Sequence, residues 1–319
     1  MRPRLRARTC VRTRARPALL GLALAAALAA GAPVSAAKRV VAVTADLAAL
    51  AVAVGGDLVA VETIVPPAVD PEAFEPRPSD FEKLRGAELL VRVGLGYDHW
   101  LERLLARTGN RRLMRGGEDY VDASLGIPLL EVRGRGAVEE RGHAHGSANP
   151  HYWLDPENAR IVTANIAEAL IRRLPRDRDR IVANRDRFLS TLDSRMRLWG
   201  ERLAPFAGAR LIAYHNSWPY FARRFRLDIV DFVEPKPGVA PSPFHLTRLI
   251  AKGRELQVRA VLHEPYEPEE ASRLVAEKLG VPFVRLATSV GSVPEATDYF
   301  GLIDHNVAAL VRALGPQAR

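Results

Sequence analysis

Short apolar runs alternate with amphipathic stretches in the first half of the chain. Runs such as RVVAVT and ELLVRV are typical of buried strands, whereas the stretches between them carry apolar residues at helical spacing. We predict strands at 39–44, 58–65 and 88–93 and helices at 46–54, 79–85 and 97–107. This order of strands and helices predicts a parallel sheet covered by helices.

A second alternating set lies toward the C-terminus. We predict strands at 210–214, 228–233, 259–263 and 283–287 and helices at 217–225, 243–257, 268–279 and 298–314. Between the two sets lie two helical patterns, 155–174 and 176–203, which Pro175 separates. The second pattern has about 28 residues and would extend about 42 Å, which is long enough to join two lobes.

The two sets together predict an α/β protein of two lobes, each a mostly parallel sheet flanked by helices, joined by one long linker helix. We place the N-terminal lobe at 37–175, the linker helix at 176–204 and the C-terminal lobe at 205–319. Residues 131–150 are rich in glycine and charge and lack apolar periodicity, so we predict a surface loop there.

The N-terminal segment has a composition of its own. Residues 2–17 are rich in arginine, residues 18–32 are apolar, and small residues follow up to Ala36. Because this order is typical of a secretory signal peptide, we predict a signal peptide at 1–36 and a periplasmic protein. An uncleaved membrane anchor is the alternative, although a spanning helix needs about 20 apolar residues. Cys10 precedes the apolar run, so we expect no lipid anchor.

The formal net charge of +9 is concentrated in the same segment. Residues 1–36 contain seven arginines and neither lysine nor an acidic residue, so the rest of the chain has only a small basic excess. We therefore expect no nucleic-acid partner. Cys10 is the single cysteine, so the mature chain can form neither a disulfide nor a cysteine metal site.

Three histidines lie where a predicted strand or loop gives way to a helix: His151 in NPHYWLDP, His215 in IAYHNSW and His263 in VLHEPY. In an α/β sheet, the loops beyond the carboxyl ends of the strands form the ligand crevice. Imidazoles and carboxylates without cysteine suit zinc, manganese or iron. Three other histidines are interpreted as structural: His99, His245 and His305.

Four stretches carry a resemblance to a known family. They are VDPEAFEPRPSD at 69–80, NPHYWLDPENA at 149–159, AYHNSWPYFARRF at 213–225 and DYFGLIDHNVAALVRAL at 298–314. Together they resemble the periplasmic zinc- and manganese-binding solute-binding proteins of bacterial ABC importers, the TroA- and ZnuA-like proteins. The resemblance implies two α/β lobes joined by one long helix, with a metal ion held between the lobes.

The resemblance also implies a set of metal ligands, from which this sequence departs twice. His151 and His215 match two histidines of the family motifs. Glu72, in DPEAFEP, stands where the family carries its first histidine, and Thr288, in LATSVGS, stands where it carries an aspartate. Two ligands therefore match, one is replaced by a carboxylate and one is missing.

Two imidazoles and one carboxylate bind zinc but leave one coordination position open. Glu264, beside His263 at the end of a predicted strand, is the leading candidate for that position; Glu234 is a weaker one, and water is another. Adjacent strand residues point to opposite faces, so we expect only one of His263 and Glu264 to face the cleft. The carboxylate of Glu72 moves the preference toward manganese or iron relative to an all-histidine site, yet zinc remains our first expectation and manganese the second.

Other polar residues near these motifs have supporting roles by the same interpretation. His143 and His145 lie in the glycine-rich loop, where the family's zinc receptors often carry a histidine-rich loop. They could form an auxiliary metal-capturing site, or simply belong to a polar loop. Asp155 and Asn216 are expected to hold the ligands in place from behind.

The function that the resemblance implies is a substrate-binding protein that delivers a divalent cation to the membrane permease and ATPase of an ABC importer. We expect a monomer and no enzymatic turnover. Two alternatives remain: a family member whose metal site has decayed into an adhesin or a receptor for another ligand, and a metallohydrolase. The second would need a positioned general base, and the sequence contains neither HExxH nor GxSxG.

Overall fold

The computed structural model describes residues 36–131 and 147–316. The signal peptide predicted at 1–36 lies almost entirely outside the described residues, as do His143 and His145. Within the described ranges, no helix is long and apolar enough to cross a membrane.

The first lobe contains a four-stranded parallel sheet. Its strands are β1 (Lys38–Ala42), β2 (Val59–Thr63), β3 (Leu89–Arg92) and β4 (Tyr120–Asp122), in the order β2-β1-β3-β4. Its helices are α1 (Ala45–Gly55), α2 (Pro78–Arg85) and α3 (Leu101–Thr108). Strand β4 is not predicted from the sequence, because it has only three residues, Tyr-Val-Asp, and a segment this short shows no alternation of apolar and polar positions.

The second lobe repeats this arrangement. Its strands are β5 (Arg210–Ala213), β6 (Asp228–Phe232), β7 (Ala260–His263) and β8 (Phe283–Arg285), parallel in the order β6-β5-β7-β8. Its helices are α6 (Pro219–Phe225), α7 (Pro243–Glu255), α8 (Glu270–Leu279) and α9 (Tyr299–Leu314). Side-chain caps fix two helix starts: Ser242 accepts from the His245 N–H, and Asp298 from the Gly301 N–H.

Helix α4 (Ala159–Arg173) is the last helix of the first lobe, and helix α5 (Arg178–Leu203) follows it after a short 3₁₀ turn that begins at Pro175. Helix α5 has 26 residues and packs against α1 and α4 of the first lobe and against α9 of the second. The predicted fold class is therefore confirmed: two parallel-sheet lobes flanked by helices, with a long helix between them.

The hydrophobic core does not stop at the boundary between the lobes. Along β1, Val40 and Ala42 face one continuous cluster that includes Phe188 of α5 and Leu262 of β7, whereas Val41 faces a smaller cluster on the outer side of its sheet. This alternation follows from the two-residue period of a strand. Because both lobes and α5 bury apolar side chains in one cluster, their relative position is fixed by packing.

Hydrogen bonds also cross between the lobes. Asp46, fully buried in the first turn of α1, accepts from the backbone N–H of Val290 at 2.9 Å and from the hydroxyl of Ser289 at 2.8 Å. Burial raises the pKa of Asp46 to about 7, although these hydrogen bonds oppose the shift. The hydroxyl of Tyr299 in α9 donates to the carbonyl of Trp153 at 2.7 Å.

Candidate metal centre

Three loops at the carboxyl ends of the strands meet between the lobes. Glu72 lies in the loop after β2, His151 follows the long connection after β4, and His215 follows β5. All strands within a sheet are parallel, so each sheet presents its carboxyl ends, and the loops beyond them, along one edge. The geometry of the fold thus brings together residues that are far apart in sequence.

The ligand atoms of these three residues lie within 4.8 Å of one another. Oε1 of Glu72 is 3.6 Å from Nε2 of His151 and 3.7 Å from Nε2 of His215. Tetrahedral zinc with bonds of about 2.0–2.1 Å places its ligand atoms roughly 3.4 Å apart. The distances from Glu72 to the two imidazole nitrogens exceed this spacing by only a few tenths of an ångström, and no two of the three ligand atoms are more than 4.8 Å apart.

Access to this group is from one side. His151 and His215 are buried, with 2% and 8% of their surfaces exposed, whereas the side chain of Glu72 is 25% exposed. A cavity of about 450 Å³ opens onto Glu72 and His215, and its wall also carries Asp70, Glu234 and Glu267. A cluster of carboxylates at the mouth of a cleft attracts cations.

His215 is held from behind by a carboxylate. Its Nδ1 is 2.6 Å from Oε2 of Glu234, a residue that follows β6 and is 3% exposed. Burial alone would lower the pKa of His215, but the carboxylates of Glu234 and Glu72 outweigh it and raise that pKa well above its ordinary value. A divalent cation at Nε2 would displace the proton that this atom carries in the charged imidazole.

His151 is held from behind by an amide. Its Nδ1 is 3.2 Å from Oδ1 of Asn149, which also accepts the backbone N–H of His151 at 3.1 Å. The amide nitrogen of Asn149 donates to the carbonyl of Asn216 at 2.9 Å and to Glu131 at 3.1 Å. No role for Asn149 is predicted from the sequence, where its position two residues before a candidate ligand is the one signal that points to it.

The two residues expected behind the ligands have different surroundings. Asn216 is linked to His151 through Asn149, and its own amide donates to Glu131 at 2.7 Å. Asp155 instead accepts from Nε of Arg224 at 2.6 Å and from the Glu157 N–H at 3.0 Å. That ion pair joins the first lobe to α6 and does not reach either imidazole.

Glu264, the leading candidate for a fourth ligand, lies outside the three-residue group formed by the described residues. It is fully buried and accepts from the indole N–H of Trp218 at 2.8 Å and from the backbone N–H of His215 at 3.4 Å. Burial raises its pKa to about 7. Its contacts hold the backbone that carries His215.

His263 points away from Glu264, as strand alternation predicts. Its ring contacts the rings of Tyr214 and Phe283, and its nitrogens are 3.0 Å from the hydroxyl of Ser272 and 3.1 Å from the carbonyl of Glu267. These partners account for both ring nitrogens, which is typical of a structural histidine.

Thr288, which the resemblance matches to an aspartate ligand, lies in the loop after β8. It is 3% exposed, and its carbonyl accepts from the indole N–H of Trp153 at 2.9 Å. The next two residues of this loop, Ser289 and Val290, donate hydrogen bonds to Asp46 of the first lobe. In this chain, therefore, the loop after β8 connects the two lobes.

Comparison with known proteins gives the family. The sequence pattern of the family described as zinc-uptake complex component A, periplasmic, matches residues 40–313. The manganese ABC transporter substrate-binding lipoprotein PsaA of Streptococcus pneumoniae is 25% identical over 286 residues, covering 86% of this chain and 88% of that protein. The high-affinity zinc uptake system protein ZnuA of Bacillus subtilis (strain 168) is 24% identical over 268 residues, covering 80% of each.

A solved structure agrees with these matches. The zinc-bound form of a ZnuA deletion mutant superposes with a TM-score of 0.74 and 28% identity, covering 88% of this chain and 99% of that one. Fold and donor set together are those of a bilobal protein with a candidate metal site between its lobes. This chain belongs to the zinc-uptake complex component A family. The family consists of substrate-binding proteins of metal ABC importers, not of enzymes, which confirms the resemblance seen in the sequence.

Proposed function

We propose that this protein binds a divalent cation through Glu72, His151 and His215 and delivers it to the permease and ATPase of an ABC importer. The observation that carries the proposal is the convergence of one carboxylate and two imidazoles within 4.8 Å between the lobes. Relatives named for manganese and for zinc uptake support the class of cargo.

Zinc is the proposed first cargo and manganese the second. Two imidazoles and one carboxylate form a common three-ligand zinc set, whereas manganese favours more oxygen ligands. Water completes the coordination in this proposal, because Glu264 is engaged by Trp218 and by the backbone of His215.

The cellular setting is part of the proposal. The signal peptide at 1–36 exports the chain to the periplasm, and the mature protein consists of the lobes 37–175 and 205–319 with the linker helix 176–204. His143 and His145 capture the cation and pass it to the cleft, which a variant lacking both imidazoles tests: it should load more slowly at unchanged affinity.

The central experiment is a competitive titration of mature protein, residues 37–319, with Zn(II) and Mn(II) against a chromogenic chelator. We expect one tight equivalent of zinc and weaker binding of manganese. Glu72→Ala and His215→Ala should each weaken binding at least a hundredfold, while His99→Ala, which removes an exposed histidine outside the cleft, serves as the control.

Each remaining outcome has a defined meaning. Loss of affinity in His215→Ala but not in Glu72→Ala would remove Glu72 from the ligand set. A folded wild-type protein that takes up no stoichiometric metal would overturn the proposed function. Tighter manganese than zinc binding would reverse the order of cargo while leaving the receptor class in place.

A further inference from the structure

Glu234 lies behind His215, not beside the proposed cation. Its Oε2 is 2.6 Å from Nδ1 of His215, while Nε2 of the same ring faces Glu72. The two nitrogens of an imidazole lie on different edges of the ring, so a carboxylate bound at Nδ1 is directed away from an ion at Nε2. This geometry argues against Glu234 as the missing fourth ligand.

The carboxylate of Glu234 is itself held at both ends. Oε2 contacts His215, and Oε1 accepts the backbone N–H of Gly238 at 2.5 Å. The backbone N–H of Glu234 donates to the carbonyl of Tyr214 at 3.0 Å. Gly238 has a φ of 72°, and Lys236 pairs with Val239 across the same turn. The segment after β6 is therefore folded into a tight loop around this carboxylate.

An ionised carboxylate only accepts hydrogen bonds, so it requires the proton of the neutral imidazole to be on Nδ1. The lone pair is then on Nε2, the atom that faces Glu72 and His151. A carboxylate partner also makes an imidazole a more basic ligand than a neutral partner does. We propose that Glu234 is the positioning residue that fixes the tautomer and orientation of His215 for metal binding, an inference that rests on the proposed function.

The other histidine provides an internal reference. His151 has the neutral amide of Asn149 at the corresponding nitrogen, at the longer distance of 3.2 Å. Both partners direct Nε2 into the cleft, but Glu234 alone brings a charge. The contribution of Glu234 to affinity is therefore expected to exceed that of Asn149.

The test compares zinc affinity in wild type, Glu234→Gln and Glu234→Asp. A glutamine cannot accept from both Nδ1–H and the Gly238 N–H, because its second terminal atom is a donor. Removing such a partner typically costs 10- to 100-fold in affinity, so we expect a loss of about that size in Glu234→Gln. Glu234→Asp keeps the charge but is one methylene shorter, and should recover part of the loss.

Glu267→Gln is the matched control. Glu267 lies on the wall of the same cavity, and burial raises its pKa to about 7. The titrations are therefore run at about pH 8.5, where this carboxyl is ionised and the variant removes one negative charge without touching the hydrogen bond to Nδ1. A clearly smaller loss than in Glu234→Gln is expected. Long-range ¹H–¹⁵N correlation spectra of the apo protein at high pH supply the second readout: the Nδ1–H tautomer of His215 should dominate in wild type and be lost in Glu234→Gln.

The outcomes separate this inference from the proposed function. If wild type binds no metal, the proposed function fails. If wild type binds metal and Glu234→Gln binds it within threefold, with the Nδ1–H tautomer kept, the inference fails and the function stands. If Glu234→Gln does not fold, the comparison of Glu234→Asp with wild type decides by the same two readouts. Equal losses in Glu234→Gln and Glu267→Gln would also overturn the inference, because net charge would then explain both.

Discussion

The two lobes have the same strand order, yet the side chains in topologically equivalent loops make different contacts in each lobe. After the second strand, the first lobe carries Glu72, whose carboxylate faces both Nε2 atoms, and the second lobe carries Glu234, whose carboxylate is bound at Nδ1 of His215. The same residue type at the same topological position thus serves as a proposed ligand in one lobe and as a support in the other.

The remaining loops show the same division. After the last strand, the first lobe supplies His151 and the second supplies Thr288; after the first strand, the first lobe supplies Asp46 and the second supplies His215. Asp46 and the residues after Thr288 bind each other across the lobes. The difference teaches that the topology places a residue at the cleft, and that the side chain it contacts there determines its role.

The largest expected effect comes from removing an imidazole from either lobe. His151→Ala and His215→Ala should each weaken zinc binding by about a thousandfold, because a site with two ligands loses both a bond and its geometry. Isothermal titration with a competing chelator measures the loss. If one variant lost far less zinc affinity than the other, the two histidines would not contribute equally to binding.

A large effect is also expected where the lobes bind each other through Asp46. Its pKa is about 7 in the folded protein against about 4 unfolded, so the folded state holds the proton more tightly. The contribution of Asp46 to the free energy of unfolding should therefore be fully present below pH 4 and be lost as the pH rises toward 7, by up to about 4 kcal/mol.

Asp46→Asn removes this dependence, and urea unfolding of the metal-free protein at several pH values measures it. Glu264 and Glu267, whose pKa values burial raises to about 7, act in the same direction and remain in the variant. The difference between wild type and variant isolates Asp46. Parallel pH profiles for the two proteins would contradict the prediction.

A smaller effect is expected from Thr288→Asp, which gives the second lobe a carboxylate after its last strand. Thr288→Asp places a carboxylate in the loop after β8, at the family's ligand position, and should strengthen manganese binding about tenfold and more than zinc binding. The same buried carboxylate should lower the stability of the metal-free protein. Thr288→Val, which adds no donor, is the control; equal affinities in both variants would show that this loop does not reach the cation.

The smallest expected effect concerns the loop that holds Glu234. Gly238 has a φ of 72°, and a Cβ added there would meet no atom within 4 Å, so Gly238→Ala costs conformational strain alone. We expect a loss of about 1 kcal/mol in stability and a few-fold loss in zinc affinity. Chemical unfolding and chelator competition measure the two. Unchanged stability with a large loss of affinity would indicate a direct role for this loop at the cation.

The fold could be predicted from the sequence because each strand except β4 is an apolar run bounded by helical patterns. The candidate ligands could be proposed because they lie at the ends of such runs, beside motifs that resemble a family. The role of Glu234 could not, since it depends on β6 lying beside β5 and bringing together residues that are 19 positions apart. The contact of Asp46 with Val290 spans 244 positions, and no local pattern signals it.

The continuous core beneath the cleft has a consequence for how an importer would distinguish a loaded receptor from an empty one. Lobes that share one core and one 26-residue helix have little freedom to close around a cargo. The outline that a permease meets therefore changes little on loading. What would change is the electrical potential at the cleft mouth, where a bound dication would offset part of the negative charge of the carboxylates on the wall. For the proposed receptor, the signal of occupancy is a change of charge more than a change of shape.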